Sequence, residues 1–489
     1  MNTKPLILLL VIGLGPIVWV STNASAQQKP NVEPTRKQAA DALNKAVNFY
    51  RTKVGFEGGY LWRYSSDLTR GEGEGRAGRT TAWVQPPGTP TVGEAYLSAF
   101  LVSGNSRLLE AANETGQALV RTQLRSGGWS YRIEFADDDR TRYAYRVDSA
   151  NKNARNVTTL DDDNTQSALR FLMQLDLALK FQDATIHRTC KYALDSLIKA
   201  QYPCGAWPQR FGSFPDPKNF PIKKASLPDS WPRKFPPGNQ YGSYYTFNDN
   251  VLADMIETMF RAHQIYDEQR YLEAALRGGD FIILAQLPDP QPAWAQQYDF
   301  QMQPAWARKF EPPSVTGGES QRVLQMLLEL YQQTGDKKFL EPVPRALAYL
   351  KKSHLKDGRL ARFYEMRTNR PLYFTLDYQL TYEDDDLPTH YSFIVSSRLK
   401  QIERAYRKLA SDPYVPLRPS TRPKRIAMSP KLVNECRRVL REMDGRGAWV
   451  EPGRLSRYGR DDPTTQIITT RTLINNLQIL ADYVSASSR

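Results

Sequence analysis

The chain has 489 residues, enough for one large domain or two or three smaller ones, and carries 66 Lys+Arg against 52 Asp+Glu, a formal net charge of +14. Its three cysteines and four histidines exclude a disulfide framework, show no zinc-site spacing, and leave little material for a histidine base. A basic, aromatic-rich chain with an export signal fits an acidic polymer better than nucleic acid; a merely solubilising charge is the plainer alternative.

At the N-terminus, Lys4, the apolar run Leu6 to Val18 and "NASA" ending at Ala26 form a secretory signal-peptide pattern. Cleavage after Ala26 and a secreted or periplasmic protein are expected. The apolar run is short for a membrane span and no later stretch is apolar enough, so stable membrane insertion is not expected. Residues 27–489 are expected to form a single monomeric domain, with core motifs over 58–378 and C-terminal helices over 389–486.

Helical periodicity then recurs, from "QAADALNKAVNFYR" through "NTQSALRFLMQLDLALK" and "ESQRVLQMLLELYQQTG" to "TTQIITTRTLINNLQILADYV". Strand-like alternation is scarce. Glycine-aromatic loops punctuate the helices: "GGYLWRY" (58–64), "SGGWSYR" (126–132), "CGAWPQR" (204–210) and "GRGAWVEPG" (445–453). Glycine ends a helix in a left-handed cap and delivers the following aromatic to one end of the array. This predicts an all-α fold, an incomplete α/α toroid of antiparallel helix hairpins with long loops lining a cleft. The loop aromatics, Trp207 among them, are then candidate sugar platforms or plugs of the toroid's end.

Two segments break the helical pattern. Pro208 to Ser243 is Pro-rich and basic, long enough to fold over a functional face. Ser411 to Pro430 reads as a basic surface linker. Cys190 and Cys204 either pair or stay reduced, and Cys436 reads as buried.

Three acidic or arginine-rich stretches carry chemistry. "TTLDDDNTQSALRFL" sets Asp161, Asp162 and Asp163 at a helix start, where capping explains one or two of them and a cation or sugar hydroxyls the rest. "YYTFNDNVLADM" repeats the arrangement with Asn248, Asp249 and Asn250; the two starts either cap or converge. "LARFYEMRTNRPLYFTLDY" gathers Arg362, Arg367 and Arg370, whose planar forks match sugar carboxylates or pair with Glu365.

"GGYLWRY", "WVQPPGTPTVGEAYL", "TLDDDNTQSALRFL", "AWPQRF", "YTFNDN", "PAWARKFEPPSVTGGES" and "ARFYEMRTNRPLY" together resemble the family 10 polysaccharide lyases, the pectate (pectic acid) lyases with an α/α-toroid fold. The resemblance runs from about Gly58 to Tyr378. It implies calcium-assisted β-elimination of polygalacturonate, with Arg308 of "PAWARKFE" as the Brønsted base. It further implies Asp249 and Asp161 as calcium or substrate contacts and Arg362 as a carboxylate binder; Arg370 and Trp207 complete the candidate substrate-binding set. Since guanidinium is ordinarily always protonated, a carboxylate clamp is the less demanding role for Arg308. The chain departs from the family pattern at Leu376, where an arginine is expected. That departure keeps a non-catalytic acidic-polysaccharide binder open, and an α/α-barrel glycoside hydrolase using Asp161 and Asp249 is the other alternative.

Overall fold

The computed structural model describes residues 33–416 and 426–487. The signal peptide with its Ala26 cleavage, and the middle of the basic linker, lie outside the described residues.

Short apolar-rich segments make the helices, and side-chain caps start α-helices at Arg36, Ser106, Ala184, Pro430 and Thr470. Thr35 and Gln38 form a reciprocal capping box at the start of α1 (Arg36–Phe49). It is followed by α2 (Thr89–Ser103), α3 (Ser106–Arg121) and the one-turn α4 (Asp137–Arg140). The central run is α5 (Asn164–Ala178), α6 (Ala184–Ala200), α7 (Val251–Tyr266), α8 (Gln269–Leu284), α9 (Glu319–Thr334) and α10 (Val343–Lys352). The last three are α11 (Leu399–Ser411), α12 (Pro430–Glu442) and α13 (Thr470–Ser485). One hydrophobic cluster runs from Ala39 to Ala486.

Helices α13, α2, α5, α7 and α9 follow one another as an inner row. Behind them pack α12 and α1, then α3, α6, α8, and finally α10 with α11. Among the described residues no comparable packing joins α9 back to α13, so the ring is open on that side. This is the incomplete α/α toroid that the periodicity predicts.

The glycine-aromatic loops have a structural reason. Indole N–H groups of Trp129, Trp207, Trp294 and Trp449 donate to Leu119, Leu197, Ile282 and Val439 carbonyls, in the last turns of α3, α6, α8 and α12. Each gives a last-turn carbonyl an indole partner, the Leu119 carbonyl in addition to the Thr122 N–H that it also accepts. Gly127 (φ +114°) and Gly205 (φ +97°) make the turns before two of these tryptophans; a Cβ would strike Ser196 and the Arg277 carbonyl respectively. The inner helices complete the joint. Hydroxyls of Thr89, Thr165 and Ser320 accept the backbone N–H of Tyr60, Trp129 and Trp294.

Two-residue strand pairs carry the loops to the site. Thr158–Thr159 pairs antiparallel with Arg210–Phe211, and Tyr245–Thr246 pairs equivalently with Gln297–Tyr298. A five-stranded sheet joins the chain's two ends, with Arg63 opposite Thr469 and Tyr64 opposite Ile468. Among the described residues no helix is long and apolar enough to cross a membrane.

Candidate active site

The two acidic helix starts adopt one backbone. Leu160 (φ −102°, ψ −4°) matches Phe247 (−105°, −5°), Asp162 (51°, 36°) matches Asp249 (46°, 34°), and Asp163 (57°, 25°) matches Asn250 (62°, 13°). Two successive left-handed residues cost of order 1–3 kcal/mol each, least for Asp and Asn, whose short polar side chains tolerate this region. The double turn swings the carboxylates away from the helix amides. Neither α5 nor α7 therefore receives a side-chain cap from these residues, so capping does not explain them. Asp163 instead ion-pairs with Arg170.

Asp161, Asp162 and Asp249 converge, with one oxygen of each within 4.8 Å of the others. The expected pair Asp161 and Asp249 is thus brought together, but the backbone equivalent of Asp249 is Asp162, which single-motif reading had not selected. The signal was present: "TLDDDN" laid on "TFNDNV" aligns Asp162 with Asp249 and Asp161 with Asn248.

The three acids are not alike. Asp161 is buried and accepts from Gln209 Nε2 at 2.8 Å on one oxygen, and from Tyr131 Oη at 2.7 Å and Arg210 Nη2 at 3.1 Å on the other. Asp162 accepts from Gln85 Nε2 at 2.8 Å. Among the described residues Asp249 meets only the Arg308 guanidinium, 3.7 Å away. Burial, followed by repulsion from Asp161, raises Asp162 to about 6 against the pull of Arg308. Burial and the two other carboxylates raise Asp249 to about 8. Three crowded carboxylates with few donors form an oxygen-rich set suited to a hard divalent cation such as calcium.

Arginines ring this centre. Arg308 Nε and Nη2 fork onto the fully buried Glu311 at 2.8 and 2.6 Å. Burial pulls its pKa down, but Glu311 and then Asp249 outweigh burial and hold Arg308 above an ordinary arginine. Glu311 also accepts from Tyr391 Oη and Gln296 Nε2. Arg362 pairs with Glu319 at 2.7 Å and lies over the Tyr391 ring. Arg210, on the Asp161 side, is the arginine that motif reading passed over. The Pro-rich segment packs on the Arg308 loop: Asn239 donates to the Trp306 and Ala307 carbonyls, and Trp306 donates to the Pro232 carbonyl.

Other expectations are corrected. Trp207 is 0 % exposed and reaches no solvent, so it is a helix-end plug and not a sugar platform. Trp207→Ala is expected to cost about 3–5 kcal/mol of stability, read as a lower thermal midpoint; what protein remains folded keeps its KM. The exposed Arg370 stacks 3.4 Å from the Tyr382 ring centroid, in a separate cluster where Glu365 pairs with Arg233. Leu376 is 58 % exposed, and Lys309, beside Arg308, lies over the ring of Tyr378, two residues further on. All three cysteines are free and buried.

Residues 123–360, just under half of the chain and spanning the acidic turns and Arg308, match the pectic acid lyase family model. Over that segment the chain is similar to the pectic acid lyases. The lyase-like chain is similar in fold to a mutant family 10 polysaccharide lyase from Cellvibrio cellulosa in complex with trigalacturonic acid, at 19% identity and TM-score 0.44, covering 65% of this chain and 98% of that one. It is also similar to a D-mannose isomerase (14%, TM-score 0.43, covering 92% and 97%) and to a GH76 α-mannanase from Bacteroides thetaiotaomicron (12%, TM-score 0.39, covering 92% and 96%). No curated protein matches the chain.

Proposed function

We propose that this chain is a secreted pectate lyase that cleaves polygalacturonate by calcium-assisted β-elimination. The observation that carries the reading is the Asp161, Asp162 and Asp249 cluster with the Arg308 guanidinium beside it. Asp162 and Asp249 would hold the calcium, with Asp161 contributing charge; calcium there would neutralise a substrate carboxylate and ease charge build-up at the adjacent carbon. Arg362 and Arg210 bind neighbouring uronate carboxylates through their planar forks.

In the proposed step Arg308, in its neutral form, takes the C5 proton. The C5–H electron pair becomes the C4–C5 double bond, and O4 leaves with its bonding pair and takes a proton from water. Glu311 orients the Arg308 fork but opposes its deprotonation, so the base role requires loosening of that pair. Secretion belongs to the same proposal and rests on the N-terminal sequence.

An inverting carboxylate-pair hydrolase is less well served. The acid oxygens lie within 4.8 Å, closer than the roughly 6.5–9.5 Å that admits an attacking water; a retaining enzyme, with carboxyls roughly 5–5.5 Å apart, is separated from a lyase by its product. Polygalacturonate treated with the protein is expected to gain the ultraviolet absorbance of a 4,5-unsaturated uronate, and chelator is expected to abolish the gain. New reducing ends without absorbance would indicate a hydrolase, and binding without product would indicate the non-catalytic binder.

A further inference from the structure

Three of the buried tryptophans begin a Trp-x-Gln triplet: Trp83-Val84-Gln85, Trp207-Pro208-Gln209 and Trp294-Ala295-Gln296. In each, the glutamine two residues after the buried tryptophan reaches one of the acidic turns. Gln85 donates to Asp162, Gln209 to Asp161, and Gln296 to Asn248 at 2.6 Å. Gln85 differs from the others in two ways. It lies outside residues 123–360, the lyase-like segment, and its amide is fixed at both ends: Trp83 Nε1 donates to Oε1 at 3.1 Å, while Nε2 faces Asp162 at 2.8 Å. An ionised carboxylate only accepts and an indole N–H only donates, so one amide orientation alone satisfies both neighbours. Trp62 Nε1 holds the Gln85 carbonyl at 2.8 Å, and both Trp83 and Gln85 are under a tenth exposed.

We propose that Gln85, oriented by Trp83, is a positioning residue for the acidic centre, turning the Asp162 carboxylate so that its second oxygen is free for the cation. This rests on the reading of Asp162 and Asp249 as cation ligands. The physical reason is geometric. Asp162 sits on a left-handed turn with no cap to hold its side chain, and Asp249 and Asp161 repel it; the single neutral donor selects one rotamer against that repulsion. A partner that orients a ligand without touching the metal changes affinity about 10–100-fold when removed.

Calcium binding by titration calorimetry, with terbium luminescence as a second probe, tests the relay on the full chain without substrate. Gln85→Met keeps the side chain's length and removes its donor; calcium affinity is expected to fall about tenfold or more with the thermal midpoint in chelator unchanged. Trp83→Phe leaves Gln85 in place but frees its amide to turn, and is expected to weaken calcium in the same direction. The double variant is expected to bind no more weakly than Gln85→Met alone, because the two act as one unit. Affinity of Gln85→Met within about twofold of the parent overturns the proposal, since a ligand-orienting partner has a larger effect; so do additive losses in the double variant. Should Gln85→Met not fold, unchanged affinity in Trp83→Phe overturns it alone. Failure of the parent chain to bind calcium would instead remove the cation reading itself, and the relay with it.

Discussion

Arg308→Ala is expected to lower the rate of unsaturated-product formation by at least about 10²–10³-fold, the effect of losing a preorganised charge at the reacting centre. Arg308 is held by the fully buried Glu311 on one side and lies beside Asp249 on the other, so nothing else occupies its place. Arg308→Lys restores a positive charge without the planar fork and is expected to recover only part of the rate. Glu311→Gln separates the two roles of this arginine. Glu311 is the main partner that keeps Arg308 above an ordinary arginine, so its neutralisation lowers the arginine's pKa. If Arg308 is the base, the alkaline rise of kcat moves to lower pH in Glu311→Gln. An unmoved profile with lower kcat would leave Arg308 as a carboxylate clamp.

Asp249→Asn is expected to abolish measurable calcium binding and, with it, calcium-dependent turnover. Asp249 has the fewest protein donors of the three acids and so the most open oxygens. Its raised pKa gives a linkage test in the calcium-free protein. A carboxyl whose folded value lies near 8 and whose unfolded value is 3.8 binds more protons in the folded state between those limits. Stability of the calcium-free chain therefore falls as pH rises through that window. Calcium displaces the proton, so its apparent affinity rises with pH toward about 8, by up to about tenfold per unit for one proton displaced. In Asp249→Asn the stability slope shrinks and Asp254, raised to about 7 by burial and Asp163, carries much of what remains. A parent chain whose calcium affinity is flat from pH 6 to about pH 8 would contradict this assignment.

The toroid was legible because helical periodicity and glycine-aromatic loops are local signals, repeated enough to outweigh any one ambiguous segment. Trp207 was misread for the same reason: a loop tryptophan looks alike in sequence whether its ring faces solvent or its N–H closes a helix end. Trp294 was missed because its loop, "QPAWAQ", has no glycine to mark it. At the site, the family resemblance points to Arg308, Asp161 and Asp249, whereas Asp162 stood in the acidic run without a role of its own and Arg210 was not singled out. Asp162 required comparing two turns whose backbone identity only dihedral angles reveal. Arg210 required the antiparallel pairing of Thr159 with Arg210, and nothing in "ARKFEPP" marks Glu311 as a buried partner of the arginine three residues before it. Gln85, from a third hairpin, depends on tertiary packing throughout.

The pairing of Arg63 with Thr469 bears on how the chain reaches this state. A strand contact between residues so far apart has a higher loop-closure cost than the local helix hairpins. The Trp62–Gln85 wall leans on it, since the Thr470 hydroxyl donates to the Trp62 carbonyl. Residues 466–485 are therefore expected to act as a timing element, their amides and those of the Trp62–Gln85 wall gaining protection after the middle helices in pulse-labelled hydrogen exchange.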